Sequence, residues 1–129
     1  MTRALGQCLE ILPEHRTLFG LWDRRTIRLL ELTAQVQAKL EQPQKALELC
    51  IESLPGHRAV LGTSANRTIE MLTLMGELHE SLGEHTKARD RFKEAFVASR
   101  DSPEANPLRT QNLKNRVERA SNAHSASGS

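Results

Sequence analysis

Apolar residues recur along residues 26–40 at a spacing that matches one face of an α-helix. Ile27, Leu30, Ala34 and Leu40 fall three, four or six residues apart, and polar residues fill most positions between them. This period is helical rather than the alternation expected of a strand. The pattern therefore predicts an amphipathic helix.

A second helix is predicted directly after the first. The apolar pattern resumes at residues 44–54, and Pro43 before it and Pro55-Gly56 after it are expected to interrupt helical structure. A similar pair is predicted at residues 66–81 and 86–100, with Gly83 between them as a helix stop. The chain is thus organised as pairs of helices.

The two pairs belong to an internal repeat of 42 residues. Residues 3–32 align with residues 45–74 without a gap, and fourteen of the thirty positions are identical. The identical positions include Cys8/Cys50, Pro13/Pro55, His15/His57 and Gly20/Gly62. A fixed period in this range indicates stacked supersecondary units.

The period divides the chain into a half repeat at 1–22, repeats at 23–63 and 64–105, a capping helix at 106–120 and a disordered tail at 121–129. The first helix is expected to cover about residues 2–12 and to leave Leu5, Leu9 and Leu12 uncovered. Ser64 and Asn106 lie 42 residues apart before helical patterns, and both are preferred N-cap residues. The array is therefore expected to be ragged at both ends and open to self-association.

Composition excludes several classes of protein. The net charge is +2, and aromatic residues make up 3% of the chain. A nearly balanced charge and few stacking aromatics argue against nucleic-acid binding, and no apolar run approaches the length that a membrane span requires. Two cysteines do not form a disulfide framework, so a reducing, cytoplasmic setting is expected.

Candidate chemistry is sparse. Cys8 and Cys50 are expected to be small core residues, and His15 and His57 to make hydrogen bonds in the linkers. His79-Glu80 begins like a zinc-protease motif, but Gly83 stands where the second histidine belongs. We therefore expect no catalytic residues, no cofactor and no metal site.

The pattern resembles the tetratricopeptide repeat. Leu72, Gly76, Gly83, Ala88, Phe92 and Ala95 match the spacing of that family, and Glu41 replaces the turn glycine in the preceding unit. The 42-residue period is similar to the longer repeats of kinesin light chains. The resemblance implies an all-α, right-handed solenoid of antiparallel helix pairs that acts as a non-enzymatic protein-binding scaffold.

In that family the first helix of each pair lines a concave groove. The resemblance implies a groove with an acidic centre, suited to a protein or peptide that carries a central basic residue. The residues it assigns are Arg28, Glu31, Gln35, Lys39, Glu70, Thr73, Glu77, Glu80, Asn112, Asn115 and Arg119.

Two alternatives remain open. The chain is also consistent with a structural fragment of a longer array that has no ligand of its own. A helical repeat that binds nucleic acid is the third hypothesis, which the composition disfavours.

Overall fold

The computed structural model describes residues 2–20, 22–104 and 106–127. Within these ranges the chain forms α-helices and one π-helical turn, and no strand, which confirms the all-α class. The helices are α1 (Thr2–Phe19), α2 (Arg24–Lys39), α3 (Pro43–Gly56), α4 (Asn66–Ser81), α5 (His85–Arg100) and α6 (Pro107–Ser127), with the π-helical turn at His57–Leu61 after α3.

The helices fall into two compact units. Residues 1–62 form unit 1, with α1, α2 and α3, and residues 63–129 form unit 2, with α4, α5 and α6. In the repeat register α2, α4 and α6 are first helices, and α1, α3 and α5 are second helices. In unit 1 α2 packs against both α1 and α3, and in unit 2 α5 packs against both α4 and α6.

The turn inside each helix pair has the same geometry in both units. After α2, the Gln42 amide donates to the Gln37 carbonyl at 2.9 Å, and after α4 the Glu84 amide donates to the His79 carbonyl at 2.9 Å. This is the bond of a Schellman cap, which places the preceding residue in the left-handed region. That residue is Gly83 in unit 2 (φ 74°) but Glu41 in unit 1 (φ 58°). Glu41 therefore adopts a conformation that glycine accommodates more easily.

The second helices run further than the proline positions predicted. α1 continues through Pro13 to Phe19, and α3 continues through Pro55 into the π-helical turn. The prediction that the first helix, α1, ends near Pro13 is therefore wrong. α3 itself ends at Gly56, as predicted, but helical structure continues beyond it in the π-helical turn. Packing resumes directly after the proline in α3, because the Gly56 backbone lies against Ile27 and a Cβ there would be 3.1 Å from the Ile27 side chain. Burial on both sides of the proline offsets the hydrogen bond that it cannot donate.

The helices end instead at two equivalent glycines. Gly20 (φ 84°) follows α1, and Gly62 (φ 106°) follows the π-helical turn. The Gly62 amide donates to the His57 carbonyl at 3.1 Å, an i→i−5 bond typical of a π-turn. His57, which was expected in a linker, is therefore helical, and so is Leu61.

In unit 1, α1 is covered along one side. Leu12 packs with Leu29 and Leu30 of α2, and Leu5 is also buried. The expectation that Leu5 and Leu12 are uncovered is therefore wrong, and only Leu9 of the three is exposed. The reason is that α1 packs on α2 through a face that repeats every seven residues.

In unit 2, the packing of α4 on α5 depends on a glycine. Gly76 faces the ring of Phe92, and a Cβ on Gly76 would lie 2.6 Å from Phe92 Cε1. Phe92, Ala88 and Ala95 are fully buried. The ring therefore occupies the space that a side chain on α4 would otherwise fill.

α6 begins as predicted and extends further. The Asn106 side chain accepts a hydrogen bond from the Arg109 amide at 3.0 Å, which caps the helix at Pro107. Ser64 does not cap α4, which begins at Asn66 after Ala65. Helix α6 continues to Ser127, so residues 121–127 differ from the expected disordered tail, while residues 128–129 lie outside the described residues.

Candidate interaction site

The exposed side of α4 carries four of the expected groove residues. Glu70, Thr73, Glu77 and Glu80 are spaced by three, four and three residues, so they share one side of the helix. Glu70 and Glu77 are exposed, and Thr73 and Glu80 are half-buried. The Thr73 hydroxyl donates to the Ile69 carbonyl at 2.8 Å. The three carboxylates are therefore the groups on this side of α4 that a partner could pair with.

One of these carboxylates already has a basic neighbour. Arg116 Nη1 of α6 lies 3.5 Å from Glu77 Oε1. The Arg116 guanidinium also stacks over the Phe92 ring, 5.3 Å from its centroid. Arg116 thus neutralises part of the acidic centre and joins α4, α5 and α6 within unit 2. The sequence pattern did not identify Arg116, because Leu32 and Leu74 occupy the equivalent positions.

α6 presents three expected groove residues on its exposed side. Asn112, Asn115 and Arg119 are all exposed. The Asn115 side-chain carbonyl accepts a hydrogen bond from Gln111 Nε2 at 3.0 Å. Amide and guanidinium groups are thus available for hydrogen bonding here.

A polar cluster fixes the start of α6 against the rest of unit 2. Arg109 donates to Ser99 Oγ at 3.0 Å and to Asn66 Oδ1 at 2.9 Å. Asn66 Nδ2 in turn donates to Glu104 Oε2 at 2.7 Å, and Ser99 is buried. These hydrogen bonds connect α4, α5 and α6 at one end of the unit, so the exposed sides of α4 and α6 are held on a common framework.

In unit 1, α2 carries Arg28, Gln35 and Lys39 at accessible positions. Arg28 and Lys39 are exposed, and Gln35 is half-buried. The fourth expected residue, Glu31, is only 2% exposed. The expectation that Glu31 lines an open groove is therefore corrected, and α2 offers two basic groups and an amide.

The buried carboxylate of Glu31 contacts a residue of α2 and a residue of the turn after α3. Arg28 Nη1 donates to Glu31 Oε1 at 3.0 Å, and His57 Nε2 lies 3.6 Å from Glu31 Oε2. His57 is fully buried, and its Nδ1 lies 3.0 Å from the Ser53 carbonyl oxygen. The sequence assigned His57 to a linker, so its pairing with Glu31 was missed. This buried polar contact connects α2 to the end of α3.

Cys50 and His79 both have surroundings that the structure defines. Both cysteines are free thiols, and burial raises the pKa of Cys50 to about 12. A thiol of this kind is a poor nucleophile at neutral pH. His79 Nδ1 lies 2.9 Å from Glu84 Oε1, and this hydrogen bond, together with Lys87, holds the pKa of Glu84 below its usual value. Among the described residues, no three His, Cys, Asp or Glu side chains converge as metal ligands would.

Comparison with known proteins places this arrangement in a family. In the part of the chain that the structure describes, no helix has the length and apolar character needed to cross a membrane. A search of curated proteins found no match. A family model described as tetratricopeptide repeat matches residues 25–100, which span α2 to α5 and more than half of the chain. Repeats of this family generally mediate protein–protein interaction. The chain therefore belongs to the tetratricopeptide repeat family.

Proposed function

We propose that this protein is a non-enzymatic scaffold that binds a protein or peptide on the concave face that first helices form in this family. The observation that carries the proposal is the set of accessible polar residues on the first helices. Arg28 and Lys39 of α2, Glu70 and Glu80 of α4, and Arg119 of α6 all reach solvent. Such a set favours a polar partner recognised by hydrogen bonds and ion pairs.

Glu70 and Glu80 define the charge that the partner of unit 2 should carry. They lie ten residues apart on α4, which corresponds to about 15 Å along the helix axis. An extended peptide covers that distance in about five residues. Glu77 already forms an ion pair with Arg116. The proposed ligand is therefore an extended segment with two basic side chains at about this separation, one for Glu70 and one for Glu80.

The proposal extends to the type of repeat and the setting. Gly20 and Gly62, 42 residues apart, end the helical segments after α1 and α3 with the same left-handed backbone, which supports a 42-residue unit of the kinesin light chain kind. The free thiols of Cys8 and Cys50 are in keeping with a cytoplasmic location.

Charge reversal on α4 tests the proposal. Partners are first captured with the wild-type protein and identified, and the affinity for one purified partner is then measured. Glu70→Lys and Glu80→Lys are expected to weaken binding and slow association, most strongly at low salt, because each replaces an attractive charge with a repulsive one. Glu77 is left unchanged, since a lysine there would repel Arg116 and disturb unit 2 itself.

Glu48→Lys is the matched control. Glu48 is exposed on the second helix α3, and its replacement changes the net charge by the same amount. Binding should be unaffected by Glu48→Lys. Equal losses for Glu48→Lys and Glu70→Lys would point to a general charge effect, and a loss with Glu48→Lys alone would place the binding surface on the second helices.

A further inference from the structure

A groove in unit 2 runs between α5 and α6. It has a volume of about 560 Å³, and Phe96 and Val117 provide its apolar part. The remaining lining residues are polar or charged: Arg89, Asp90, Lys93, Lys114, Glu118 and Ser121. The groove is separate from the exposed side of α6 that carries Asn112 and Arg119, since those residues lie on another side of the helix.

The repeat register identifies what this groove would hold. Four residues of α6 line the groove: Lys114, Val117, Glu118 and Ser121. Their equivalents lie 42 residues earlier on α4 and 84 residues earlier on α2. The equivalents on these first helices are all buried: Leu72, Met75, Gly76 and His79 on α4, and Leu30, Thr33, Ala34 and Gln37 on α2. Gly76 contacts Phe92 of the second helix that follows α4. The side of α6 that lines the groove is therefore the side on which a following second helix packs.

α1 is a second helix by the repeat register, and part of the side that its equivalents bury is exposed. Ile11 of α1 is 41% exposed, whereas its equivalents Ser53 of α3 and Ala95 of α5 are 1% and 0% exposed. Cys8 is half-buried, whereas its equivalents Cys50 and Phe92 are fully buried. Ile11 thus marks a side of α1 that α3 and α5 bury, and Cys8, which packs in part against the cluster of Leu12, Leu29 and Leu30, lies at the edge of that side.

We propose that the groove between α5 and α6 of one molecule binds α1 of a second copy. The two exposed surfaces are the two halves of one helix pair, so their contact would complete a repeat. The groove has three basic residues against two acidic ones, and α1 carries exposed Glu10 and Glu14 beside its uncovered side. The contact joins unlike surfaces, so each added molecule leaves one α1 and one groove available for further molecules.

The polar lining determines the strength of this contact. Lys114 and Glu118 stand where α4 has Leu72 and Gly76, so less apolar area is buried than within a unit. Self-association is therefore expected to be reversible and to depend on concentration.

Sedimentation velocity with the full chain tests this proposal. The wild type should grow from monomer to dimer and larger species over a range on the order of 1 to 1,000 µM. Ile11→Arg and Val117→Arg should each weaken this growth by about tenfold or more, because each replaces an apolar side chain in the contact with a longer charged one. An equimolar mixture of the two variants should form a dimer that grows no further, since one intact α1 meets one intact groove.

Controls on the same helices separate this contact from other modes of association. Thr17 and Asn112 are exposed on other sides of α1 and α6. The variants Thr17→Arg and Asn112→Arg should therefore associate like the wild type. Circular dichroism verifies that all variants keep their helical content. A wild type that stays monomeric overturns the proposal. It is also overturned if only Ile11→Arg blocks association, which indicates a symmetric α1–α1 dimer, or if the mixed variants remain monomeric.

Discussion

Replacing Gly76 with alanine should destabilise unit 2, although alanine is the better helix former. A Cβ at this position would lie 2.6, 2.7 and 2.8 Å from three carbon atoms of the Phe92 ring. These distances are shorter than any relaxed contact between carbon atoms. The ring is fully buried and stacks against Arg116, so it has little room to withdraw.

Two opposing effects determine the size of the change. Alanine gains about 1 kcal/mol over glycine from helix propensity, and overpacking a filled core costs about 1–3 kcal/mol. We expect a net loss of about 1 kcal/mol, which corresponds to a fall of about 4 °C in the melting temperature of a domain of this size. Gly6→Ala is the control, because Gly6 is exposed in α1 and a Cβ there would meet no atom within 4 Å. That substitution should stabilise the protein.

The assay is thermal and urea unfolding followed by circular dichroism, with Gly76→Ala, Phe92→Leu and the double variant. Leucine at position 92 makes room for the added methyl group, so the double variant should be more stable than the sum of the single effects predicts, by about 1 kcal/mol. Unit 1 has the same combination, because Ala34 is larger than its equivalent Gly76 and Cys50 is smaller than its equivalent Phe92. If Gly76→Ala stabilises the protein as much as Gly6→Ala does, the inferred contact between α4 and the Phe92 ring is refuted.

Three further predictions address single features of the fold. Glu41→Gly should raise the free energy of unfolding by about 1 kcal/mol in urea titrations, because Glu41 has a φ of 58° in a cap where unit 2 has Gly83. An unchanged free energy of unfolding would mean that glutamate adopts this backbone conformation without strain. At neutral pH a thiol reagent should modify the half-buried Cys8 and react with Cys50 only on unfolding, because burial raises the pKa of Cys50 to about 12. Equal modification rates of the two thiols in the native protein would contradict the burial of Cys50. The hydrogen bonds that Asp23 accepts from Arg25 lower its pKa from 3.8 to about 2, so its N-cap should stabilise α2 fully above about pH 4 and lose that effect as the pH falls towards 2. An NMR titration that gave an ordinary carboxyl pKa for Asp23 would exclude this cap.

The repeat register predicted the interior of the units well. Ala88, Phe92 and Ala95 matched the spacing of the tetratricopeptide repeat, and all three are buried. Gly76 matched the same spacing, and the contact with the Phe92 ring gives the physical reason for a small residue there. These positions are predictable because a helix pair can bury its apolar side in essentially one way at a fixed spacing.

The ends of the helices and the polar partners were less predictable. Pro55 suggested a helix end, but packing of Gly56 on Ile27 maintains the helix beyond it. That extension brings His57 to Glu31, so an expected groove residue became a buried one. Arg116 gave no signal, because a leucine occupies its position in both preceding repeats. Each miss depends on a contact between residues that are distant in sequence, which local patterns do not encode.

Hydrogen–deuterium exchange on the complex with a captured partner tests the proposed binding surface most directly. If the partner binds along the first helices, its addition should slow exchange in peptides from α4 and α6, and in α2 where the contact extends to unit 1, with little change in α3 and α5. The same measurement on Glu70→Lys should show reduced protection of α4 at equal partner concentration. Protection confined to α3 and α5, with α4 and α6 unchanged, would contradict binding by the first helices.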